Sequence, residues 1–222
     1  MVDLIRNDSP VLVIGLGRFG AATAGQLDRL DREVLAVDTD QALVQKWSDR
    51  VTHTVQVDAR NIDALRQIGA EEFKIAVVAV GSSIEASVLV AANLVDLGIP
   101  QIWAKAISQS HGKILERIGV NHVIYPEREA GERVAHLVSG QMLDFIQFDD
   151  DFVLVKMYPP RSIRGLKLAE SGVRTRHRVT VVGVKTPGGP FTYATPDTVV
   201  SNHDLIIVSG TSANVERFAS MG

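Results

Sequence analysis

Short apolar runs alternate with longer amphipathic segments from residue 11 to residue 126. The apolar runs stand at Val11–Gly15, Val34–Asp38, Val51–Val57, Ile75–Val80, Gln101–Ala106 and His122–Tyr125. The segments between them carry apolar residues at helical spacing, at Ala21–Leu30, Gln41–Trp47, Ile62–Ile68, Ile84–Leu97 and His111–Ile118. Continuous apolar runs are typical of parallel strands buried on both faces, and helices form the crossovers between such strands. The pattern predicts an α/β fold with a doubly wound, Rossmann-like parallel sheet.

The pattern changes after Pro126. From Glu127 to Ile146 apolar side chains recur every three or four residues, which predicts one amphipathic helix that bridges domains or subunits. Beyond a boundary near 147–151, short strands at Phe152–Met157, Val179–Val184 and Leu205–Ser209 predict a small α+β unit. We therefore expect a nucleotide-binding domain over 1–126, a connecting helix over 127–147 and a ligand-binding subdomain over 148–222.

Composition excludes several classes of protein. The 222 residues include no cysteine, which excludes disulfides, thiolate metal sites and cysteine nucleophiles. No apolar stretch approaches the roughly 20 residues that span a bilayer. Residues 1–10 mix charged and polar side chains and have no apolar core, so we predict no secretory signal and expect a cytoplasmic protein.

The net charge of −3 is unevenly distributed. Residues 1–150 carry a formal charge of −7 and residues 151–222 a charge of +4. A mildly basic C-terminal part suits a small anion better than duplex DNA, which usually requires a stronger and more continuous basic face. Neither end of the chain has a helix-turn-helix pattern, so we expect no nucleic-acid partner.

A glycine-rich segment directly follows the first apolar run. Gly15, Gly17 and Gly20 form a GxGxxG pattern, with Arg18 and Phe19 inside it, between a predicted strand and a predicted helix. In this context the first glycine permits a tight turn, the second lets the backbone approach a diphosphate, and the third lets helix and strand pack closely. The segment predicts nucleotide binding.

An acidic residue follows the glycines at the required distance. Asp38 ends the second apolar run, where a carboxylate accepts hydrogen bonds from both ribose hydroxyls but repels a 2′-phosphate. NAD, ADP and ATP therefore remain as candidate ligands, and NADP is disfavoured. Arg18 is placed either to contact phosphate oxygens or to lie in solvent as an ordinary loop arginine.

Other candidate ligand groups stand at the ends of later strands. Asp58 and Ala59 follow the third predicted strand, Gly81 follows the fourth, and Lys105 lies in the fifth. In an open parallel sheet these carboxyl ends form the ligand crevice. Lys105 needs an anion, which is either a ligand or a neighbouring carboxylate.

Glu127, after the sixth predicted strand, has two interpretations. It could coordinate a hard cation held by nucleotide phosphates, or it could favour a helix N-terminus electrostatically. The residues by themselves leave both open.

No catalytic residue is predicted. The six histidines are dispersed and form neither an HExxH pattern nor part of a GxSxG nucleophile elbow, and the second unit is small for a substrate domain. A small NAD-dependent oxidoreductase remains the main alternative, and a nucleotide-sensing transcriptional regulator is a second.

Several segments together resemble the RCK (regulator of K⁺ conductance) proteins that serve as regulatory subunits of Ktr/Trk potassium uptake. They are GLGRFG at 15–20, VLAVD at 34–38, VDA at 57–59, IAVVAVGSSIEAS at 75–87, IWAKA at 102–106 and YPEREAG at 125–131. The resemblance covers nearly the whole chain. It implies an octameric ring of identical subunits, without catalytic activity, on the cytoplasmic face of a membrane protein that conducts potassium.

The resemblance also implies ligands. ATP and ADP, or NAD and NADH in some members, would select different ring shapes. By position, Arg18 would reach the terminal phosphate of ATP, Asp38 would bind the ribose, and Glu127 would bind a divalent cation, Mg²⁺ or Ca²⁺. The C-terminal subdomain of such proteins can bind cyclic di-AMP. Here Arg174, Arg176 and Arg178 would form that site or would be a solvated charge run.

Overall fold

The computed structural model describes residues 9–138, 142–149 and 151–221. The chain divides into two compact units, the first ending at Glu127 and the second beginning at Arg128.

The first unit contains one sheet of six parallel strands in the order β3-β2-β1-β4-β5-β6. The strands are β1 Val11–Ile14, β2 Val34–Asp38, β3 His53–Gln56, β4 Ile75–Val78, β5 Gln101–Lys105 and β6 His122–Ile124. The helices are α1 Arg18–Arg29, α2 Gln41–Trp47, α3 Ile62–Gln67, α4 Ile84–Asp96 and α5 Gln109–Arg117. The strand order reverses direction between β1 and β4, which confirms the predicted doubly wound sheet and places the ligand crevice there.

Side chains alternate between two apolar cores on opposite faces of this sheet. Leu12 and Ile14 of β1 belong to the larger core, whereas Val11 and Val13 belong to a second core that includes Ala24 of α1. Because β1, β2 and β4 are covered on both faces, the sequence shows them as nearly continuous apolar runs, whereas the edge strand β3 is mostly exposed and polar.

Four crossover helices begin with a capping side chain. Asp40, Asn61, Ser83 and Ser108 each accept a hydrogen bond from a backbone N–H in the first turn of α2, α3, α4 and α5. Such caps satisfy donors that have no partner inside the helix. Each of these helices therefore has a defined start in the loop that follows the carboxyl end of the preceding strand.

The second unit contains an antiparallel sheet of five strands in the order β10-β9-β11-β8-β7. The strands are β7 Asp144–Asp149, β8 Phe152–Met157, β9 Thr180–Lys185, β10 Phe191–Tyr193 and β11 Leu205–Thr211. Helix α6, Pro126–Val138, begins in the first unit, and the second unit also contains α7 Leu168–Ser171 and α8 Ser212–Ala219. Val215 and Phe218 of α8 are fully buried in the core of this unit.

The structure corrects the predicted connecting helix. Helix α6 ends at Val138, and residues 144–149 form β7, which pairs with β8. Phe145 is buried and Ile146 is exposed, which is the two-residue period of a strand. The amphipathic helix was predicted to end at Ile146 and the connecting segment at residue 147, and the prediction is wrong from residue 142 onward. Residues 139–141, which it also covered, lie outside the described residues.

The apparent helical spacing has a physical explanation. Phe145 contributes to the core of the second unit from a strand, and that core also includes Met142. Their separation of three residues imitates helical periodicity although no helix connects them. The domain boundary predicted near 147–151 overlooks β7, because Gln147 already pairs with Val153 in the second sheet.

Candidate functional site

The three glycines of the GxGxxG segment, which joins β1 to the first turn of α1, have different roles. Gly15 adopts a positive φ of 98°, and a Cβ there would lie 3.2 Å from the backbone of Ala79. A Cβ on Gly20 would lie 1.8 Å from the carbonyl oxygen of Gly15, whereas one on Gly17 would meet nothing within 4 Å. Gly15 therefore makes the turn, Gly20 permits close packing, and Gly17 leaves open space beside the backbone.

The N-terminus of α1 differs from those of the next four helices because no side chain caps it. Its N-cap residue is Gly17, its first turn has no acidic residue, and Arg18 and Gly17 are exposed. The first-turn N–H groups and the helix dipole therefore present positive potential to the space beside the loop. This end of the helix is suited to binding a phosphate.

Asp38, at the end of β2, connects the loop to the next strand. Its Oδ2 accepts a hydrogen bond of 2.6 Å from the N–H of Leu16, and its Oδ1 accepts one of 2.9 Å from the N–H of Asp40. A carboxylate has about four acceptor sites, so two remain for hydroxyl donors. Asp38 is thus held where it can bind a ribose next to the phosphate-binding loop.

Lys105 and Glu127 form an ion pair. The Lys105 Nζ lies 2.5 Å from Oε1 of Glu127, and the lysine side chain is only 12% exposed. The hydrogen bond from Lys105 lowers the pKa of the Glu127 carboxyl, and the positive charge of Arg18 contributes in the same direction. Of the two partners weighed for Lys105, the structure contains the carboxylate.

The interpretation of Glu127 as a cation ligand is not tested by this geometry. Glu127 is the second residue of α6, directly after Pro126. Within residues 9–138, 142–149 and 151–221, no group of three histidine, aspartate or glutamate side chains is placed to hold a metal ion. A cation beside Glu127 would therefore need further oxygen ligands, such as those of a triphosphate.

These elements enclose one cleft of about 1060 Å³ in the first unit. Glu127 lines this cleft, and so does every predicted nucleotide-binding residue except Gly20. Those residues are Gly15, Gly17, Arg18, Phe19, Asp38, Asp58, Ala59, Gly81 and Lys105. Gly20 lies beneath the loop, where it allows the packing described above. The structure thus brings together residues that are more than 100 positions apart in sequence. That they bind a nucleotide remains a prediction.

Sequence reasoning missed Arg60, which also lines the cleft. Its guanidinium makes a two-point contact with Asp58, with Nε 2.9 Å from Oδ1 and the terminal nitrogen 2.7 Å from Oδ2. The Arg60 hydrogen bond lowers the pKa of Asp58. Sequence spacing gave no signal for this pair, because both residues lie in the turn between β3 and α3, where no regular period relates neighbouring side chains.

In the second unit, the side chains of Arg174, Arg176 and Arg178 are exposed. Arg178 has a positive φ of 55°, and the side chain of Arg176 lies over Gly172, where an added Cβ would be 2.9 Å from it. A cyclic di-AMP site on these arginines stays a prediction.

No described helix is both long and apolar enough to cross a lipid bilayer.

Two family models match this sequence. The model of the TrkA-N domain matches residues 11–126, and the model of the TrkA-C domain matches residues 152–221. Among curated proteins, Ktr system potassium uptake protein A of Bacillus subtilis (strain 168) is 32% identical over 211 residues, which are 95% of this chain and 95% of that protein.

Solved structures share the fold of this chain. The GsuK RCK domain superposes with a TM-score of 0.66 at 15% identity and covers 100% of this chain, which spans 48% of that one. The GsuK channel bound to NAD superposes with a TM-score of 0.64 at 15% identity. The match covers 99% of this chain and 40% of the GsuK chain. At this level of identity the likeness concerns the fold alone.

Proposed function

The chain belongs to the family of proteins built from a TrkA-N and a TrkA-C domain, and on that premise we propose that it is a regulatory subunit of a potassium uptake system. An adenine nucleotide in the cleft of the first unit controls the activity of a separate membrane subunit that conducts potassium. Two facts support the potassium system. The relative from Bacillus subtilis is named a potassium uptake protein, and this chain matches it over nearly its whole length.

The observation that carries the nucleotide is the arrangement around α1. An uncapped helix N-terminus, the open space beside Gly17 and the carboxylate of Asp38 lie in one cleft of about 1060 Å³. Diphosphate, ribose and base can occupy such a site in sequence along the ends of β1, β2 and β3. NAD remains an alternative ligand, and the NAD-bound GsuK channel is a structural neighbour.

Arg18 and Glu127 distinguish ATP from ADP in this proposal. Arg18 lies in the first turn of α1 and is exposed, so its guanidinium is free to reach a terminal phosphate. Glu127 would leave Lys105 to coordinate a Mg²⁺ or Ca²⁺ ion that the triphosphate also binds, while Lys105 would turn to the phosphates. ADP supplies neither the γ-phosphate nor the full set of oxygen ligands.

Regulation follows from the difference between the two nucleotides. We propose that identical subunits assemble into a ring, an octamer by family resemblance, at the cytoplasmic face of the membrane partner. A ligand shifts such an assembly only by its differential affinity for the two ring shapes. The contacts of Arg18 and Glu127 with ATP supply that difference, and the protein catalyses no reaction.

Calorimetric titration with ATP, ADP and NADH, each with and without Mg²⁺, tests the proposal. Arg18→Ala should weaken ATP by about 10- to 100-fold, the effect of one lost charge-assisted hydrogen bond. ADP should change by less than about threefold. Arg29→Ala is the matched control, because Arg29 ends the same helix, bonds to Gln26 and lies outside the cleft lining.

Two results would contradict the proposal. Equal losses for ATP and ADP in the Arg18 variant would remove its role at the terminal phosphate. Exclusive binding of NADH, with hydride transfer to a carbonyl substrate, would instead support an oxidoreductase.

A further inference from the structure

The Asp58 carboxylate is held in one orientation by Arg60. Oδ1 accepts a hydrogen bond from the backbone N–H of Arg60 at 3.0 Å, and Oδ2 accepts one at 2.7 Å from the terminal guanidinium nitrogen. The Nε–H of Arg60 is shared between the two oxygens, at 2.9 Å from Oδ1 and 3.2 Å from Oδ2. The hydrogen bond from the Arg60 side chain keeps the pKa of Asp58 below its ordinary value. The group is therefore an ionised acceptor at neutral pH and cannot donate a hydrogen bond.

The backbone that carries this pair is held from two sides. Asn93 of α4 donates its side-chain amide to the carbonyl oxygens of Ala59 at 3.0 Å and Arg60 at 2.9 Å. The N–H of Asn61 closes the turn onto the carbonyl of Asp58 at 3.0 Å. The turn over 58–61 is consequently a fixed platform at the edge of the cleft, and Asp58 is 43% exposed on it.

Strand order decides which part of a nucleotide this platform meets. The phosphate-binding loop follows β1, Asp38 ends β2, and Asp58 follows β3, which is the next strand outward. Neighbouring strand ends are about 4.8 Å apart. A nucleotide with its phosphates at Gly17 and its ribose at Asp38 therefore extends its base towards Asp58 and Arg60.

We propose that Asp58 accepts a hydrogen bond from the 6-amino group of adenine, and that Arg60 positions Asp58 for this contact. Arg60 offers three N–H donors to this carboxylate, and its Nε–H is shared between Oδ1 at 2.9 Å and Oδ2 at 3.2 Å. A carboxylate has about four acceptor positions, so one remains for a ligand donor. The inference rests on the nucleotide-binding function proposed above and adds a determinant of base specificity to it. Arg60 acts through Asp58 and need not touch the ligand.

Calorimetric titration of the full chain with ADP and with purine riboside 5′-diphosphate, which lacks only the 6-amino group, tests this directly. Wild type should bind ADP at least about 10-fold more tightly than it binds purine riboside 5′-diphosphate, which is the effect of one hydrogen bond to a charged acceptor. In Asp58→Ala the two ligands should bind within about twofold of each other, because the acceptor is gone. Absolute affinity alone would not separate a specific contact from a general disturbance, whereas the ratio does.

The role of Arg60 is tested by the same ratio. Arg60→Ala should lower the ADP preference by about three- to 10-fold, and Arg60→Lys should give an intermediate value because an ammonium cannot make the two-point contact. Arg66→Ala is the matched control, since Arg66 is also an exposed arginine paired with an aspartate, Asp63, but lies outside the cleft lining. It should leave the ratio unchanged.

The outcomes separate this inference from the proposed function. If ADP binds but wild type does not prefer it to the deamino analogue, or if the preference survives in Asp58→Ala, the contact with the base is refuted. An unchanged ratio in Arg60→Ala would refute the positioning role alone. If neither ligand binds wild type, the proposed nucleotide site itself fails.

Discussion

Replacing Gly20 by alanine would place a methyl group 1.8 Å from the carbonyl oxygen of Gly15 and 2.8 Å from the Cβ of Ala79. Unstrained contacts of this kind lie near 3.5 Å, so the start of α1 would have to withdraw by roughly 1.7 Å. Overpacking of a well-packed site costs about 1–3 kcal/mol, and backbone atoms cannot rotate away as a side chain can. We therefore expect the overpacking in Gly20→Ala to lower the free energy of unfolding by about 3 kcal/mol, the upper end of this range.

Part of this cost is offset. Alanine has a better helix propensity than glycine by about 1 kcal/mol, which leaves a net loss of about 2 kcal/mol in the free energy of unfolding. For a chain of this length the loss corresponds to a fall in Tm of roughly 4–8 °C. Thermal unfolding followed by circular dichroism, together with urea titration, measures both quantities.

Gly17→Ala is the matched comparison. Gly17 has a φ of −63°, which alanine adopts without strain, and an added Cβ meets nothing within 4 Å. Its stability should fall by about 0.5–1 kcal/mol, because alanine is a poorer N-cap residue than glycine, and this loss is smaller than the one expected for Gly20→Ala. ADP affinity should nevertheless fall by about 10-fold or more, because the methyl group occupies the space through which a diphosphate approaches the backbone.

The two variants together separate folding from binding. Gly20→Ala with wild-type stability would refute the packing argument, because it would mean that the loop and helix can part without cost. Gly17→Ala with wild-type ADP affinity would show that no diphosphate lies against this part of the loop.

Three further predictions concern single side chains. The pKa of the Glu127 carboxyl, followed by carbon-13 NMR, should be lower in wild type than in Lys105→Met. Because the pKa is depressed in the folded protein, the ion pair with Lys105 stabilises the fold above about pH 4.5, and this stabilisation is lost as the pH falls through the pKa of the folded state. Equal pKa values in the two proteins would contradict the ion pair. His111 is 1% exposed, and burial lowers its pKa. The free energy of unfolding, measured in urea, should therefore fall as the pH drops below about 6.5, and it should fall less steeply with pH in His111→Leu. Equal pH dependence in the two proteins would exclude the histidine as the cause. Asn93→Ala should cost about 1–2 kcal/mol in urea unfolding, because two carbonyls of the turn at 59–60 lose their donor, and an unchanged midpoint would show that water replaces it.

The first unit was largely predictable because its signals are local. Strand β2 and helix α2 have the predicted bounds, and the glycines at 15, 17 and 20 have the geometry expected of them. Apolar runs, helix caps and a glycine loop are each contained in a few neighbouring residues. Such signals require no knowledge of what lies across the sheet.

The errors arose where distant residues decide the structure. Strand β7 was predicted as the end of a helix because Phe145 has a helical spacing from earlier apolar residues. Its pairing with β8 and its burial in the second core favour a strand instead. Local periodicity does not contain that pairing partner.

The sequence by itself determined the alternation of strands and helices, the turn at Gly15 and the placement of Asp38 at a strand end. It could name Lys105 and Glu127 as candidates but not join them, and it gave no sign that Arg60 holds Asp58. Only the tertiary structure decided those pairs, because an ion pair forms from the three-dimensional positions of side chains that strand order and loop geometry set. Local patterns specify which elements form, whereas the ligand site depends on which element ends the fold brings to the same edge of the sheet.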